Sequence, residues 1–364
     1  MKRFDVVIVG AGMAGASLAA ELAPHASVLM IEAESLPGYH STGRSAAFWS
    51  ETYGGPGVQP LTSASGPFLQ DGGFLKDRGA LHLAGEADFG RLDRFAEEFA
   101  STGIALVPLC AAEVADRIPG LRAGSWRGLL EQSTADIDVA ALHAHYLREA
   151  KSAGAELACS APLRFAVREN GGWRIDAGDA LTVEADMLVN AAGAWADEVA
   201  RIAGAMPLGI QPYRRTIAQL RVVPDAPDDM PLVIDAAERF YFKPEAGGRL
   251  WLSPHDETMT VAGDAAPDEI DVATAIDRLE NVVDWQVQRV ERSWAGLRSF
   301  APDRLPVYGF DPAMPGFFWF AGQGGFGIQT APAAARLGAA LVLGQAVEAG
   351  LDAERYRPAR FSLP

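Results

Sequence analysis

Arg3-Phe4-Asp5-Val6-Val7-Ile8-Val9-Gly10-Ala11-Gly12-Met13-Ala14-Gly15 is an apolar, β-branched run that breaks into GxGxxG. Residues 4–9 have the composition of a strand buried on both faces. Residues 13–23 read as a small-residue helix ended by Pro24, and residues 27–31 as the next apolar strand, with Glu32 closing it. This order of strand, glycine turn, helix and strand is what a dinucleotide-binding βαβ unit requires. Gly10 permits the tight turn, Gly12 lets the backbone approach a pyrophosphate, and Gly15, after Ala14, lets helix and strand pack closely. Phosphates then sit on the helix N-terminus. Glu32 lies 22 residues beyond Gly10, where a carboxylate meets ribose hydroxyls. Alone, the unit fits NAD and FAD equally.

At 364 residues and 49% hydrophobic, the chain has the size of about two domains. A net charge of -16, with no polybasic run, argues against nucleic acid and anionic lipid as partners. Cys110 and Cys159 stand apart with no CxxC spacing, which suggests neither a disulfide framework nor a zinc site. His143 and His145 fall on different sides of a helix and read as packed or solvated rather than as ligands, so no metal is expected. The opening Met1-Lys2-Arg3 and its apolar run imitate a signal peptide, but the run is needed as the first strand. No stretch of ~18 apolar residues occurs, so no integral membrane segment is predicted, and a cytoplasmic location is the default expectation.

Further along, residues 60–70, 89–100 and 139–153 carry helical periodicity, and Leu163–Glu169 and Trp173–Ala177 form a hairpin around Asn170-Gly171-Gly172. The strand ending at Asn190 runs into Ala191-Ala192-Gly193-Ala194-Trp195-Ala196-Asp197, a second strand–glycine–helix junction. From Met206 to Ala266 the chain is β-rich, with strand candidates at Thr216–Val222, Leu232–Asp235, Phe240–Pro244, Leu250–Ser253 and Thr258–Gly263, then a helix at 268–284 and a strand at Arg289–Gly296. A third junction, Gly316 to Gln329, feeds a helix from Thr330 to Leu343. Several junctions in one chain favour a single extended cofactor held at both ends. The expected fold is α/β: a Rossmann-like cofactor-binding domain (1–77, 140–205 and 290–364) interleaved with a smaller antiparallel-sheet substrate domain of α+β type (78–139 and 206–289).

The three junctions in this order resemble the flavin-dependent amino acid oxidases and dehydrogenases of the D-amino acid oxidase superfamily. Four further blocks, Pro37 to Ala47, Ala135 to Asp138, Trp294 to Phe300 and Gly324 to Thr330, look like the bacterial D-arginine dehydrogenase group. The resemblance covers nearly the whole chain. It implies FAD, bound non-covalently, with Gly10, Gly12, Ala14 and Gly15 at the pyrophosphate and Glu32 at the adenosine ribose. It places Ser41, Thr42, Arg44, Ser45, Ala46 and Ala47 along the ribityl chain and ring, the Val167 backbone at adenine, and Ala192, Gly193 and Trp195 near the phosphates. Gly324, Gly325, Phe326, Gly327, Ile328 and Gln329 would open a helix toward the flavin pyrimidine, where N-terminal amides stabilise negative charge.

On the substrate side, Arg215 and Arg298 lie in apolar settings, where a guanidinium is costly unless it meets an anion. Its planar fork suits a carboxylate, although Arg214 is a rival for Arg215. By resemblance both arginines bind the substrate carboxylate, Tyr53 and Tyr241 line the site, and Gly325 belongs to the pocket. The implied reaction removes the Cα hydrogen of a D-amino acid as hydride, giving an imino acid, with electrons passing on to a quinone or oxygen. No side-chain base is required if the amine binds neutral. The chain departs from the arginine-oxidising pattern at two pocket positions, with Phe48 for a histidine and Ala80 for a glutamate. Without that carboxylate a buried substrate cation is disfavoured, so an apolar or aromatic side chain is expected. The alternatives are oxidation of another small carboxylate (glycine, sarcosine or a 2-hydroxy acid) and a flavoprotein subunit that needs a partner.

Overall fold

Val6, Val7 and Ile8 are wholly buried because Lys2–Val9 has a parallel partner along each edge, Val28–Ile31 on one side and Leu181–Asn190 on the other. The computed structural model describes residues 1–361. Around that central strand an eight-stranded sheet extends. Leu181–Asn190 continues into the Leu163–Glu169 and Gly172–Ala177 hairpin and also takes Phe317–Ala321 as a parallel neighbour, while Glu156–Ala158 extends the far edge. One face is covered by Met13–Leu22 and Ala331–Leu343, whose Leu18, Ala19, Leu22 and Leu337 pack on Val6, Ile8, Phe318 and Phe320. Burying each such large apolar side chain contributes ~1.5–3 kcal/mol. The alanines of the second helix let it approach closely. A β-carbon at Gly338 would lie 2.8 Å from the Phe320 ring.

A second sheet of ten strands is built on Gln211–Val223 and Gln286–Phe300, which pair antiparallel along almost their whole lengths. Arg249–Ser253, Tyr241–Glu245 and Leu232–Asp235 follow in antiparallel order. Leu232–Asp235 then pairs parallel with Ala80–Gly85, the one parallel junction among the described residues of a sheet expected to be antiparallel. The chain leaves that edge at residue 85 and returns to it only at 232. The helix Glu269–Val282 packs Val272, Ala275 and Leu279 against Leu220, Leu250 and Leu252.

Strand lengths differ from expectation for physical reasons. Gln286–Phe300 is far longer than Arg289–Gly296, and residues 290–300 therefore lie in the second sheet rather than the first. Glu291 pairs with Arg221 and Arg249 of other strands and with Arg289 of its own, and Arg292 lies over the Trp294 ring, which lets polar residues occupy this sheet face. Conversely, the strand at Thr258–Gly263 shrinks to Thr258–Met259, and Val261, 82% exposed, has no layer to pack on. A third, three-stranded sheet joins Phe48–Trp49, Ala135–Ile137 and Leu75–Asp77. No described helix is long and apolar enough to cross a membrane.

Candidate active site

The first turn is built as its glycines require. Gly10 has φ +99°, and a β-carbon there would lie 2.6 Å from the Ala191 carbonyl oxygen; at Gly15 one would lie 1.9 Å from the Gly10 carbonyl oxygen. Over Gly12 only the Thr42 hydroxyl comes near, at 3.3 Å, so the backbone stands open to a ligand. Glu32 is fixed by two amides, Ala11 N to Oε2 (2.9 Å) and Glu34 N to Oε1 (3.0 Å). The other side of the turn is braced by His143, buried with Nε2 2.9 Å from the Ala11 carbonyl oxygen, and burial lowers its pKa. A packed histidine is one of the two readings its sequence position left open.

From this turn a cavity of about 460 Å³ runs between the two large sheets. Gly10, Gly12, Ala14, Glu32, Ser41, Thr42, Arg44, Ser45, Ala46, Ala47, Ala192, Gly193 and Trp195 line it, as do Gly324, Gly325, Gly327, Ile328 and Gln329. The 41–47 segment is tied to the second sheet: Ser41 Oγ donates to the Leu297 carbonyl (2.6 Å), and Trp294 Nε1 donates to the Arg44 carbonyl (3.0 Å). Glycine-turn amides at one end, an anchored carboxylate and an elongated cleft fit a dinucleotide longer than one nucleotide unit.

Four expected site residues, Gly15, Ala80, Val167 and Phe326, do not line the cavity. The strand of Val167 lies at the sheet edge, and Ala161, Pro162 and Leu163 come beside Glu32 instead. There Ser160 N and Ala161 N donate to the carbonyls of Glu34 and Glu32, both at 2.8 Å. Phe326 is buried among Val58, Phe300 and Tyr53 and is not a lining residue. Residues 325–330 form successive turns, and the helix begins only at Ala331. Gln329 lines the cavity, but its buried side chain holds the loop at residues 50–53, accepting from Ser50 N (3.2 Å) and donating to the Tyr53 carbonyl (3.0 Å).

At the far end, Arg215 and Arg298 reach the cavity at 7% and 8% exposure. Arg298 donates to the Tyr53 hydroxyl, and its guanidinium lies 5.5 Å from that ring. Burial, then the neighbouring Arg298, lowers the pKa of Arg215. Arg214 points elsewhere, into Asp256 (3.1 Å) and Asp271, which separates the two adjacent arginines. Tyr241 is buried, and burial raises its hydroxyl pKa; its ring stands 6.3 Å from that of Phe48 and 5.5 Å from that of His255. Phe48 also packs 5.2 Å from Tyr53. Ala80 is fully buried behind this wall, in a cluster with Ala46, Ile217, Leu232 and Tyr241, and does not line the cavity.

The DAO family, FAD dependent oxidoreductase, matches residues 5–341. The chain belongs to this family. As an FAD-dependent oxidoreductase it takes FAD as its cofactor, and the lining residues from Gly10 to Gln329 are those that would hold it. Glycine oxidase of Pseudomonas aeruginosa is 30% identical over 258 residues, covering 66% of this chain and 65% of that protein. FAD-dependent oxidoreductase domain-containing protein 1 of Xenopus laevis is 27% identical over 179 residues, 44% of this chain and 36% of that protein. The chain thus spans about a third to two thirds of the length of these curated relatives. Among solved structures, glycine oxidase from Geobacillus kaustophilus superposes with a TM-score of 0.86 at 24% identity, covering 99% of both chains, which establishes the shared fold.

Two carboxylates of this oxidoreductase escaped the sequence reading. Glu131 is wholly buried opposite Ala80 in the strand register, and it accepts from Ser50 Oγ (2.9 Å), Thr52 Oγ1 (2.6 Å) and Glu51 N (2.7 Å). Burial raises its pKa against those donors. The only sequence signal was a lone carboxylate closing the apolar pair Leu129-Leu130. Glu257 lies beside the arginine pair, with Oε1 3.0 Å from Arg298 Nη1 and 3.5 Å from Arg215 Nη2. Nothing in its local sequence, His255-Asp256-Glu257-Thr258, sets it apart from a solvated loop acid.

Proposed function

We propose that this oxidoreductase dehydrogenates an α-amino acid of D configuration, with an uncharged apolar or aromatic side chain, to the imino acid. The observation that carries the reading is the convergence of two buried guanidiniums and the side chains of Tyr53 and Tyr241 at a cavity end walled by Phe48 and Ile217. Arg215 and Arg298 bind the substrate carboxylate and fix its Cα, because a planar fork engages a carboxylate with defined direction. Orientation of this kind supplies much of the rate advantage when no further acid or base takes part. Bound in the cavity, FAD supplies the acceptor for two electrons and the Cα hydrogen. The amine enters neutral, and water hydrolyses the imino acid after release. His255 is a poor proton acceptor, pulled down to about 2 by burial and the arginines.

The choice of side chain follows from what stands behind the far wall. Ala80 offers no partner to a cation, and the one carboxylate on the adjoining strand, Glu131, is turned into Ser50, Glu51 and Thr52. D configuration, and kinship with the D-arginine dehydrogenase group, rest on the sequence blocks at 37–47, 135–138, 294–300 and 324–330. A second reading, oxidation of glycine or a comparably small carboxylate, is favoured by the 30% identity to a glycine oxidase. Anaerobic titration of the holoenzyme with D- and L-forms of Phe, Leu, Met and Arg, and with glycine, distinguishes them. Flavin bleaching fastest with D-Phe, D-Leu or D-Met supports the proposal; preference for D-Arg or for L-forms sinks it. Bleaching by glycine alone leaves the second reading. Admission of air then reports whether oxygen or another acceptor, such as a quinone, takes the electrons.

A further inference from the structure

Glu257 follows the strand Arg249–Ser253 on a loop whose backbone is pinned at the preceding residue. The buried Asp256 carboxylate accepts from Thr216 N (2.7 Å), Thr216 Oγ1 (2.9 Å) and Arg214 Nε (3.1 Å), and the Asp256 carbonyl accepts from Arg215 Nε (2.9 Å). The Glu257 side chain, 35% exposed, therefore turns about a fixed Cα. Its Oε1 lies 3.0 Å from Arg298 Nη1 and 3.5 Å from Arg215 Nη2. From the solvent side Arg304, itself half exposed, reaches Oε1 at 2.8 Å and Oε2 at 3.0 Å. One carboxylate oxygen of the protein thus bridges the same two buried guanidiniums that would bind a substrate carboxylate.

We propose that Glu257 is a specificity-determining residue, an internal counter-ion that closes the arginine pair to weak anions and yields it only to a carboxylate ligand. The inference rests on the reading of Arg215 and Arg298 as a carboxylate clamp. Two adjacent buried cations without an anion would recruit whatever anion the solvent offers, chloride first. A tethered carboxylate has an effective concentration in the mM range or above, and it matches the guanidinium fork better than a spherical ion does. Glu257 makes no hydrogen bond to Tyr53 or Tyr241 among the described residues, so an incoming carboxylate that reaches those hydroxyls has an advantage over it. The displaced side chain keeps a partner, because Arg304 already holds both of its oxygens.

The test is benzoate binding to the holoenzyme, read from the perturbation of the flavin spectrum at low and high sodium chloride. Benzoate has the carboxylate but no oxidisable Cα. Glu257→Gln is expected to bind benzoate about tenfold more tightly at low chloride, a change of about 1.4 kcal/mol, and to lose that gain at high chloride, while the unaltered enzyme responds weakly to chloride. Arg304→Ala is expected to weaken binding when Glu257 is present and to have no effect when combined with Glu257→Gln. Equal benzoate affinity and chloride response with and without Glu257 overturns this inference alone. Weaker binding in a Glu257→Gln protein that retains its flavin and melting temperature also overturns it. Failure of every form to bind benzoate overturns the carboxylate-clamp reading together with it.

Discussion

A β-carbon at Gly325 would lie 2.1 Å from Arg298 Nη2 and 2.3 Å from the Tyr53 hydroxyl. Glycine is therefore required here by the neighbouring side chains rather than by the backbone. Gly325→Ala is expected to push Arg298 aside and to lower kcat/KM per bound flavin on the order of 10²-fold, the cost of misplacing a reacting centre by about an ångström, and to lower flavin content by much less. Steady-state kinetics with a dye acceptor, alongside the flavin-to-protein ratio, checks both halves. Arg298→Met removes both the charge and the fork. Breaking a buried charge pair costs roughly 2–5 kcal/mol, so the loss in kcat/KM is on the order of 30-fold to several thousandfold, read in the same assay. At this scale the sequence was informative wherever chemistry forced a residue type. GxGxxG between a strand and a helix, followed by Glu32, reads as a dinucleotide turn, and an arginine in an apolar strand calls for an anion. It was silent on Glu257, because only the fold brings that loop to Arg298, some 41 positions along the chain.

The segment carrying Tyr53 has little regular structure of its own and is held by side chains from two distant elements, Glu131 and Gln329. Glu131→Ala would leave two hydroxyls and the Glu51 amide without their acceptor, and each lost partner costs about 1–3 kcal/mol. A lower melting temperature and a raised KM with flavin retained are the expected signs. Glu131→Gln reports the charge. Burial raises the carboxyl pKa in the folded state, so the folded form holds a proton that the unfolded form releases at the ordinary carboxylate value. Its favourable contribution is complete below that value and is lost as pH rises through the folded one. The melting temperature of Glu131→Gln should therefore gain on the unaltered protein as pH rises across that window. A constant or falling difference contradicts the assignment. Legibility here followed periodicity: the helices Gln59–Asp71, Phe89–Phe99 and Val139–Ser152 lie within a residue or two of expectation. The strands Leu106–Leu109, Trp126–Glu131 and Val307–Phe310 were missed because their runs are short or interrupted by Pro108, Gly128 and Gly309.

At the scale of the molecule, the cavity has one wall from each large sheet, Gly10 and Glu32 from the first and Arg215, Tyr241 and Arg298 from the second. Near the cleft the 41–47 segment ties them through Ser41 to Leu297, Trp294 to Arg44 and Arg44 to Ala295, and Gln323–Gly324, which follows Phe317–Ala321, pairs with Gln286–Phe300. A ligand that fills the cleft is therefore bound by both sheets and favours their docked arrangement over any state in which one has melted. At a concentration of 100 times its Kd, FAD stabilises the folded chain by about 2.7 kcal/mol. At about 2 cal/mol/K of unfolding entropy per residue, the melting temperature of the 364-residue chain unfolding as one unit is expected to rise by about 3–4 °C. The tryptophans make the argument local, since Trp173 and Trp319 are buried on the first sheet, and Trp251 and Trp294 stack edge to face on the second. If the cofactor couples the two, a protein keeping only Trp173 and Trp319 and one keeping only Trp251 and Trp294 melt at the same temperature with FAD bound. Apoprotein forms should melt lower, and their two transitions are free to separate. A rise confined to the first-sheet reporters would mean that the cofactor stabilises its own sheet alone, and that the substrate wall is held in place by the rest of the fold.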